Sequence, residues 1–191
     1  MKFQIHTVQT APEASKPVLA DVEKAYKFIP NLYGTFAESP LAVSAYLQLS
    51  GLIQSKSSLT PQEQQVVMLA VSFENGCDYC MAVHSAVAAM AQTPPATIQA
   101  LRDGKVPTDA KTAALATFAH VVVQQRGWVK EEALNAFLAA GYTRAQVLDV
   151  IVITALKTIS NYTNHLTHTP LDAAFAGQKW TRPDQSRVSN A

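Results

Sequence analysis

Two short motifs, Ser39-Pro40 and Thr60-Pro61-Gln62-Glu63, do most to constrain what this chain can fold into. In each, a hydroxyl side chain able to cap free backbone N–H groups precedes a proline suited to the first helical turn. The second motif adds Glu63 three residues after Thr60, which completes a capping box. The first predicts a helix from Pro40 to about Ser55. The second predicts a helix with Val66, Leu69, Ala70 and Phe73 on one face, ending at the breaker Asn75-Gly76. Similar signals recur along the chain. Pro17 to Phe28 reads as a first helix, and Pro30 to Gly34 as a loop. A helix from Cys77 to about Ala91 precedes Pro94-Pro95 and a short helix to about Arg102. After a loop around Gly104 to Pro107, Thr108 caps a helix running to Gln125. Lys130 to Ala140 forms another, closed by Gly141. Thr143 opens a long helix to about His165, and a short piece from Leu171 to Phe175 leads into a loose polar tail. No repeat, low-complexity tract or run of alternating strand residues interrupts this order. The expectation is an all-α fold with one helical domain over residues 17–176, an N-terminal arm at 1–16 and a polar tail at 177–191.

Charge narrows the class of partner. The 15 Lys and Arg residues nearly cancel the 14 Asp and Glu, and no basic patch stands out, so nucleic acid and anionic membranes are not expected partners. Residues 1–6 lack the apolar core of a signal peptide, and Asp149 interrupts the longest apolar run, Val147 to Leu156, well short of a membrane span. The expectation is a soluble, cytoplasmic protein. An apolar share of 48% with only 15% charged residues predicts that some helix faces are buried between subunits.

The chemistry concentrates in Asn75-Gly76-Cys77-Asp78-Tyr79-Cys80-Met81-Ala82-Val83-His84, which holds both cysteines of the chain. In a helix beginning at or just after Cys77, Cys80 and His84 are i, i+4 neighbours, with Cys77 a turn earlier on the same face. A disulfide between such close thiols constrains the unfolded chain very little, and a reducing cytosol disfavours a static bridge. The pair therefore reads as reactive or metal-binding. From the residues alone three readings stay open. Cys77 and Cys80 can be small core hydrophobes beside a satisfied His84. Cys77, Cys80 and His84 can supply three zinc ligands, with His120, His165 or His168 as a fourth. Or the pair can cycle between dithiol and disulfide, with the imidazole handling a proton.

The segment from Leu59-Thr60-Pro61 through Val66-Val67-Met68-Leu69-Ala70-Val71-Ser72 to Asn75-Gly76-Cys77-Asp78-Tyr79-Cys80 and His84 resembles the alkyl hydroperoxidase D-like proteins. These belong to the carboxymuconolactone decarboxylase-like superfamily. The resemblance covers roughly residues 59–91, and the surrounding helix order is compatible with the uncharacterised peroxidase-related branch. It implies an all-helical homo-oligomer, a trimer or hexamer, that reduces hydroperoxides through the CxxC pair. By position, it makes Cys80 the peroxide-attacking thiol, Cys77 the resolving thiol and His84 part of the proton relay. It also implies an external dithiol donor, lipoyl-bearing or thioredoxin-like. Separately, the sequence shows no glycine-rich phosphate loop or nucleotide signature, so no cofactor is expected.

Two departures accompany the resemblance. Gln65 stands where the family relay has a glutamate, twelve residues before Cys77, and it can orient a water but cannot exchange a proton as a carboxylate does. Tyr79 stands where the family hydroperoxidase has a second histidine, and a tyrosine is a poor base at neutral pH. Glu63, on another face, reads as a cap. Weak peroxidase activity, or another oxidant or a disulfide as the substrate, is therefore expected. The other readings carried forward are a thiol- or zinc-responsive binding module and a lactone decarboxylase. In the long C-terminal helix, Thr154, Thr158, Asn161 and His165 form a polar stripe that reads as pocket lining, as a satisfied buried network or as a subunit interface.

Overall fold

The capping box forms as the sequence predicts. Thr60 Oγ1 accepts from the Glu63 backbone N–H at 3.2 Å, and the Glu63 carboxylate accepts from the Thr60 N–H at 2.9 Å. It opens α4 (Pro61–Glu74), the helix around which the rest of this computed structural model is assembled. The structure describes residues 3–183. Its other helices are α1 (Lys16–Tyr26), α2 (Asn31–Phe36), α3 (Pro40–Lys56), α5 (Asp78–Met90), α6 (Pro95–Arg102), α7 (Ala110–Gln124), α8 (Glu131–Ala139) and α9 (Arg144–Thr167). Short 3₁₀ turns lie at Glu13–Ser15 and Ala173–Gln178, and there is no strand among the described residues. The fold is all-α. No single helix among the described residues is long and apolar enough to cross a membrane.

The one-face pattern expected for α4 is a correction. Gln64 through Ser72 are all buried, because α5, α6, α7 and α9 pack around this helix from several sides. Its end is chemically marked. Gly76 takes φ +68°, and the Cys77 N–H reaches back to the Ser72 carbonyl at 2.9 Å, closing the Schellman turn that only a residue comfortable at positive φ permits cheaply. That turn launches α5 across α4 and leaves Cys77 at its N-cap. Gly104 is constrained twice over, by φ +69° and by the Phe73 ring, whose Cζ lies 2.2 Å from where a Cβ would sit.

Several expectations are corrected by contacts from distant parts of the chain. The stretch from Pro30 to Gly34, expected as a loop, lies largely in α2, whose Leu32, Tyr33 and Phe36 are buried. Its first N–H groups are satisfied by Asp172 and Tyr79, far away in sequence. Asp109 rather than Thr108 caps α7, accepting from the Thr112 N–H at 2.8 Å. The first helix ends at Tyr26 because Lys27 turns left-handed at φ 69°. The arm is docked: His6 is buried, with its N–H on the Gly34 carbonyl and its Nε2 on Glu38. The tail is also docked as far as it is described. Trp180 is buried against Phe73 and donates its indole N–H to the Arg102 carbonyl at 2.8 Å. Residues 184–191 of the expected polar tail lie outside the described residues.

Candidate active site

Cys77 and Cys80 are free thiols, 0% and 2% exposed, in the opening turn of α5. Unpaired N–H groups and the positive end of the helix dipole favour a negative charge there. One further turn along, His84 is partly buried. Its Nδ1 lies 2.9 Å from Gln65 Oε1 on α4, so the sequence-derived set of Cys77, Cys80, His84 and Gln65 does come together.

What the sequence reading missed is most of the opposite wall, supplied by α9, of which it named only Asn161. Lys157, Ser160, Asn161 and Asn164 project from one face of that helix, and all are buried. Asn164 Nδ2 donates to Cys80 Sγ at 3.3 Å and lies 3.8 Å from Cys77 Sγ, while Ser160 Oγ is 3.8 Å from Cys80 Sγ. Lys157 is fully buried, and its Nζ donates to His84 Nε2 at 2.8 Å. None of the salt bridges among the described residues gives Lys157 a carboxylate partner. Asn161 accepts from Asn75 Nδ2 at 2.8 Å and fixes the α4–α5 corner to α9.

These contacts assign protons. Because Lys157 has only hydrogens to offer, it must meet the lone pair of His84 Nε2. The imidazole hydrogen therefore sits on Nδ1 and is donated to Gln65 Oε1. Burial, then the Lys157 charge, hold His84 well below its ordinary pKa, so the ring is neutral. Burial alone would raise Cys80. The Cys77 hydrogen bond, the Lys157 charge and further bonds from Ser160 and Lys157 outweigh it and hold that thiol well below its usual range. Cys77 is pushed up, first by its hydrogen bond to Cys80 and then by burial. Burial would lower Lys157, but the charge of Cys80, with Tyr46 and Cys77, raises it. The pair is thus polarised, with Cys80 favoured as the thiolate, Cys77 as the thiol and the Lys157 ammonium as counter-charge.

Tyr79 does not join this set, which corrects its expected catalytic placement. Its hydroxyl turns to the far side of the CxxC turn, donating to Asp172 Oδ2 at 2.6 Å and accepting from the Leu32 N–H at 3.3 Å. Asp172 Oδ1 in turn accepts from the Asn31 N–H at 2.8 Å. Tyr79 therefore clamps α2 and the C-terminal segment over α5. Tyr79→Phe is expected to cost about 1–3 kcal/mol in urea unfolding, the penalty of leaving a buried carboxylate short of a partner. It should leave the ultraviolet thiolate signal of Cys80 unchanged, and loss of that signal would place the hydroxyl back in the reactive set.

The remaining candidates lie elsewhere. Glu63 is the cap of α4 and meets Lys111. His120 is held by Glu74 at 2.8 Å, and His165 and His168 are exposed. No group of three or more His, Cys, Asp or Glu among the described residues is placed to hold a metal ion. The lone pair that His84 would need for zinc already faces an ammonium. In the polar stripe of α9, Thr154 and Thr158 line a cavity of about 320 Å³ with Asn75, Val122 and Tyr162, although both hydroxyls bond to carbonyls of their own helix. Asn161 is buried in the network and His165 is outside it.

Residues 40–123 match the carboxymuconolactone decarboxylase family. Among solved structures, an uncharacterised peroxidase-related protein from Ralstonia eutropha JMP134, described as an alkylhydroperoxidase AhpD core, is 22% identical. It superposes with a TM-score of 0.79 over 91% of this chain and 93% of its own. A second uncharacterised peroxidase-related protein, from Silicibacter sp. TM1040, is 17% identical with a TM-score of 0.77, covering 93% and 96% of the two chains. A cysteine-to-alanine variant of the debrominase Bmp8, in complex with 2,3,4-tribromopyrrole, is 18% identical with a TM-score of 0.77, covering 93% and 95%. At such identities the likeness is one of fold. No curated protein matches the chain.

Proposed function

We propose that this chain, which matches the carboxymuconolactone decarboxylase family over residues 40–123 and shares the fold of an alkylhydroperoxidase AhpD core, is an alkylhydroperoxidase-D-like, thiol-dependent peroxidase working through Cys77 and Cys80. The observation that carries the proposal is the asymmetry of the pair. The Cys77 hydrogen bond and the Lys157 charge outweigh burial and hold Cys80 well below the usual thiol range, with Asn164 donating to its sulfur, while Cys77 is pushed up. The thiolate attacks one oxygen of a hydroperoxide, forming a sulfenic acid and expelling an alkoxide that needs a proton. Cys77 then displaces the sulfenic oxygen, its own proton leaves in the water formed, and a disulfide results. A dithiol donor, lipoyl-bearing or thioredoxin-like, returns the two electrons by exchange.

The exposed apolar residues of α9, among them Leu148, Ile151, Val152, Tyr162 and Leu166, support assembly as a homo-oligomer. The debrominase in the same fold supports a second reading, in which the thiolate takes a bromine from an aromatic ring. The ring carbon gains a proton, and Cys77 then displaces bromide to give the same disulfide.

The deciding measurement is a free-thiol count on reduced, metal-free protein before and after one equivalent of an organic hydroperoxide. Both thiols are expected to vanish rapidly with one peroxide consumed. If both persist for many minutes, the peroxidase reading fails. Bromide release from a bromopyrrole would then favour the second reading, and thiols inert to both would favour a binding module.

A further inference from the structure

The peroxide step leaves one proton unaccounted for. The thiolate carries none, and the Cys77 proton is consumed later in forming water. His84 is neutral, and its one N–H is committed to Gln65, which as an amide has no acidic proton to pass on. Tyr46, facing the site from α3, is buried and held above its ordinary pKa by that burial, which makes it a poor acid. Around Lys157 the titratable groups are therefore Tyr46 of α3, with Tyr33 of α2 behind it, and Cys77, Cys80 and His84 of α5. None of these is a carboxylate.

We infer that Lys157 is both the counter-ion and the proton donor of the dithiol, an ammonium while Cys80 is a thiolate and a neutral amine once Cys77 and Cys80 are joined. The geometry requires the change. A fully buried ammonium is tolerated only while it is paired, and the disulfide removes the one anion that pairs it. Thiolate, thiol, hydroperoxide and ammonium become disulfide, alcohol, water and amine. Hydrogens and charge balance on the two sides. Reduction by a dithiol donor runs the proton back: two electrons enter, one proton returns to Cys77 and one to Lys157. In the amine state, His84 Nε2 remains within hydrogen-bond reach of Lys157 Nζ, so the side chain keeps its position through the cycle.

The peroxide step of this scheme rests on the peroxidase reading above, but the protonation states do not, so the test uses no peroxide. The first readout is the ultraviolet thiolate absorbance of reduced protein. The parent is expected to show about one thiolate between roughly pH 6 and pH 7, where an ordinary thiol shows almost none. Lys157→Met, which keeps an unbranched chain of similar length, is expected to lose that signal and to titrate in the ordinary thiol range. The second readout needs no variant: the equilibrium constant for exchange of the parent protein with glutathione, followed from about pH 6 to pH 8. Oxidation that releases one proton from Cys77 and one from Lys157 matches the two protons glutathione disulfide takes up. The constant is then expected to stay within about twofold. If Lys157 kept its charge in the oxidised protein, the constant would change about tenfold per pH unit, and the inference would be overturned. It would equally be overturned if Lys157→Met retained a full thiolate near pH 6. A parent that behaves as expected here yet ignores hydroperoxides would sink the peroxidase reading and leave the lysine's protonation cycle standing.

Discussion

Cys80→Ser is expected to bring hydroperoxide consumption down to the uncatalysed background, while Cys77→Ser consumes one equivalent and stops with Cys80 as a sulfenic acid. The argument is positional. Of the two sulfurs, Cys80 lies nearer the Asn164 Nδ2 donor, at 3.3 Å against 3.8 Å for Cys77, and it is Cys80 whose anion the ammonium on α9 favours. A hydroxyl at position 80 supplies no usable anion near neutral pH. Without the Cys77 thiol, the sulfenic acid has no partner and is detectable as a dimedone adduct by mass spectrometry. The gain from ionisation alone is bounded, because an ordinary thiol is already about 3% thiolate at neutral pH; full ionisation adds about thirtyfold, or ~2 kcal/mol. The rest must come from the proton delivered to the leaving oxygen and from fixed geometry. The pH dependence has a definite sign. A group with a depressed pKa is already ionised above it, so alkylation of Cys80 should rise less steeply with pH between about pH 6 and pH 8 than that of an ordinary thiol, which gains about tenfold per unit. Parental turnover by Cys80→Ser would remove Cys80 from the mechanism altogether.

Phe137→Ala is expected to be the most damaging single truncation for the fold itself. Phe137 is 1% exposed, and its ring is stacked between Phe118 at 4.4 Å and Tyr142 at 4.4 Å. This triple stack joins α7, α8 and the turn into α9, and the Lys111 ammonium lies 4.8 Å from the Tyr142 ring. Removing the middle ring forfeits its burial, opens a cavity and breaks two aromatic contacts, for about 3–5 kcal/mol. In a chain of this size that is a fall in Tm on the order of 6–20 °C. Thermal unfolding followed by circular dichroism measures it. A fall of only a degree or two would mean that Phe118 and Tyr142 collapse together and refill the space.

The features legible in the sequence are those whose chemistry is local. The capping box at Thr60, the Asn75-Gly76 break and the i, i+4 placing of Cys80 and His84 all arise within one or two turns, and the structure carries each of them. The short helix at Asn31–Phe36 was illegible because what caps it comes from Tyr79, 47 residues away, and Asp172, 141 residues away. The role of Tyr79 was misread for the same reason: only the position of Asp172 shows which way its hydroxyl turns. Lys157 escaped because a lone lysine in an apolar helix ordinarily extends its head to water. One signal was available. Lys157 lies four residues after Ile153 and seven before Asn164, on the buried face of α9 rather than on the stripe through Thr154 and Thr158.

The wall that α9 supplies also sets when this chain becomes reactive during its own synthesis. Lys157 meets His84 across 73 residues, Asn164 meets Cys80 across 84, and Asp172 meets Tyr79 across 93. A growing chain therefore exposes both cysteines well before it possesses the ammonium that acidifies one of them. Until α9 emerges and docks, Cys80 is an ordinary thiol, mostly protonated and slow toward oxidants. The order of residues along the chain thus delays the acidified state of Cys80 until the wall that covers it is in place.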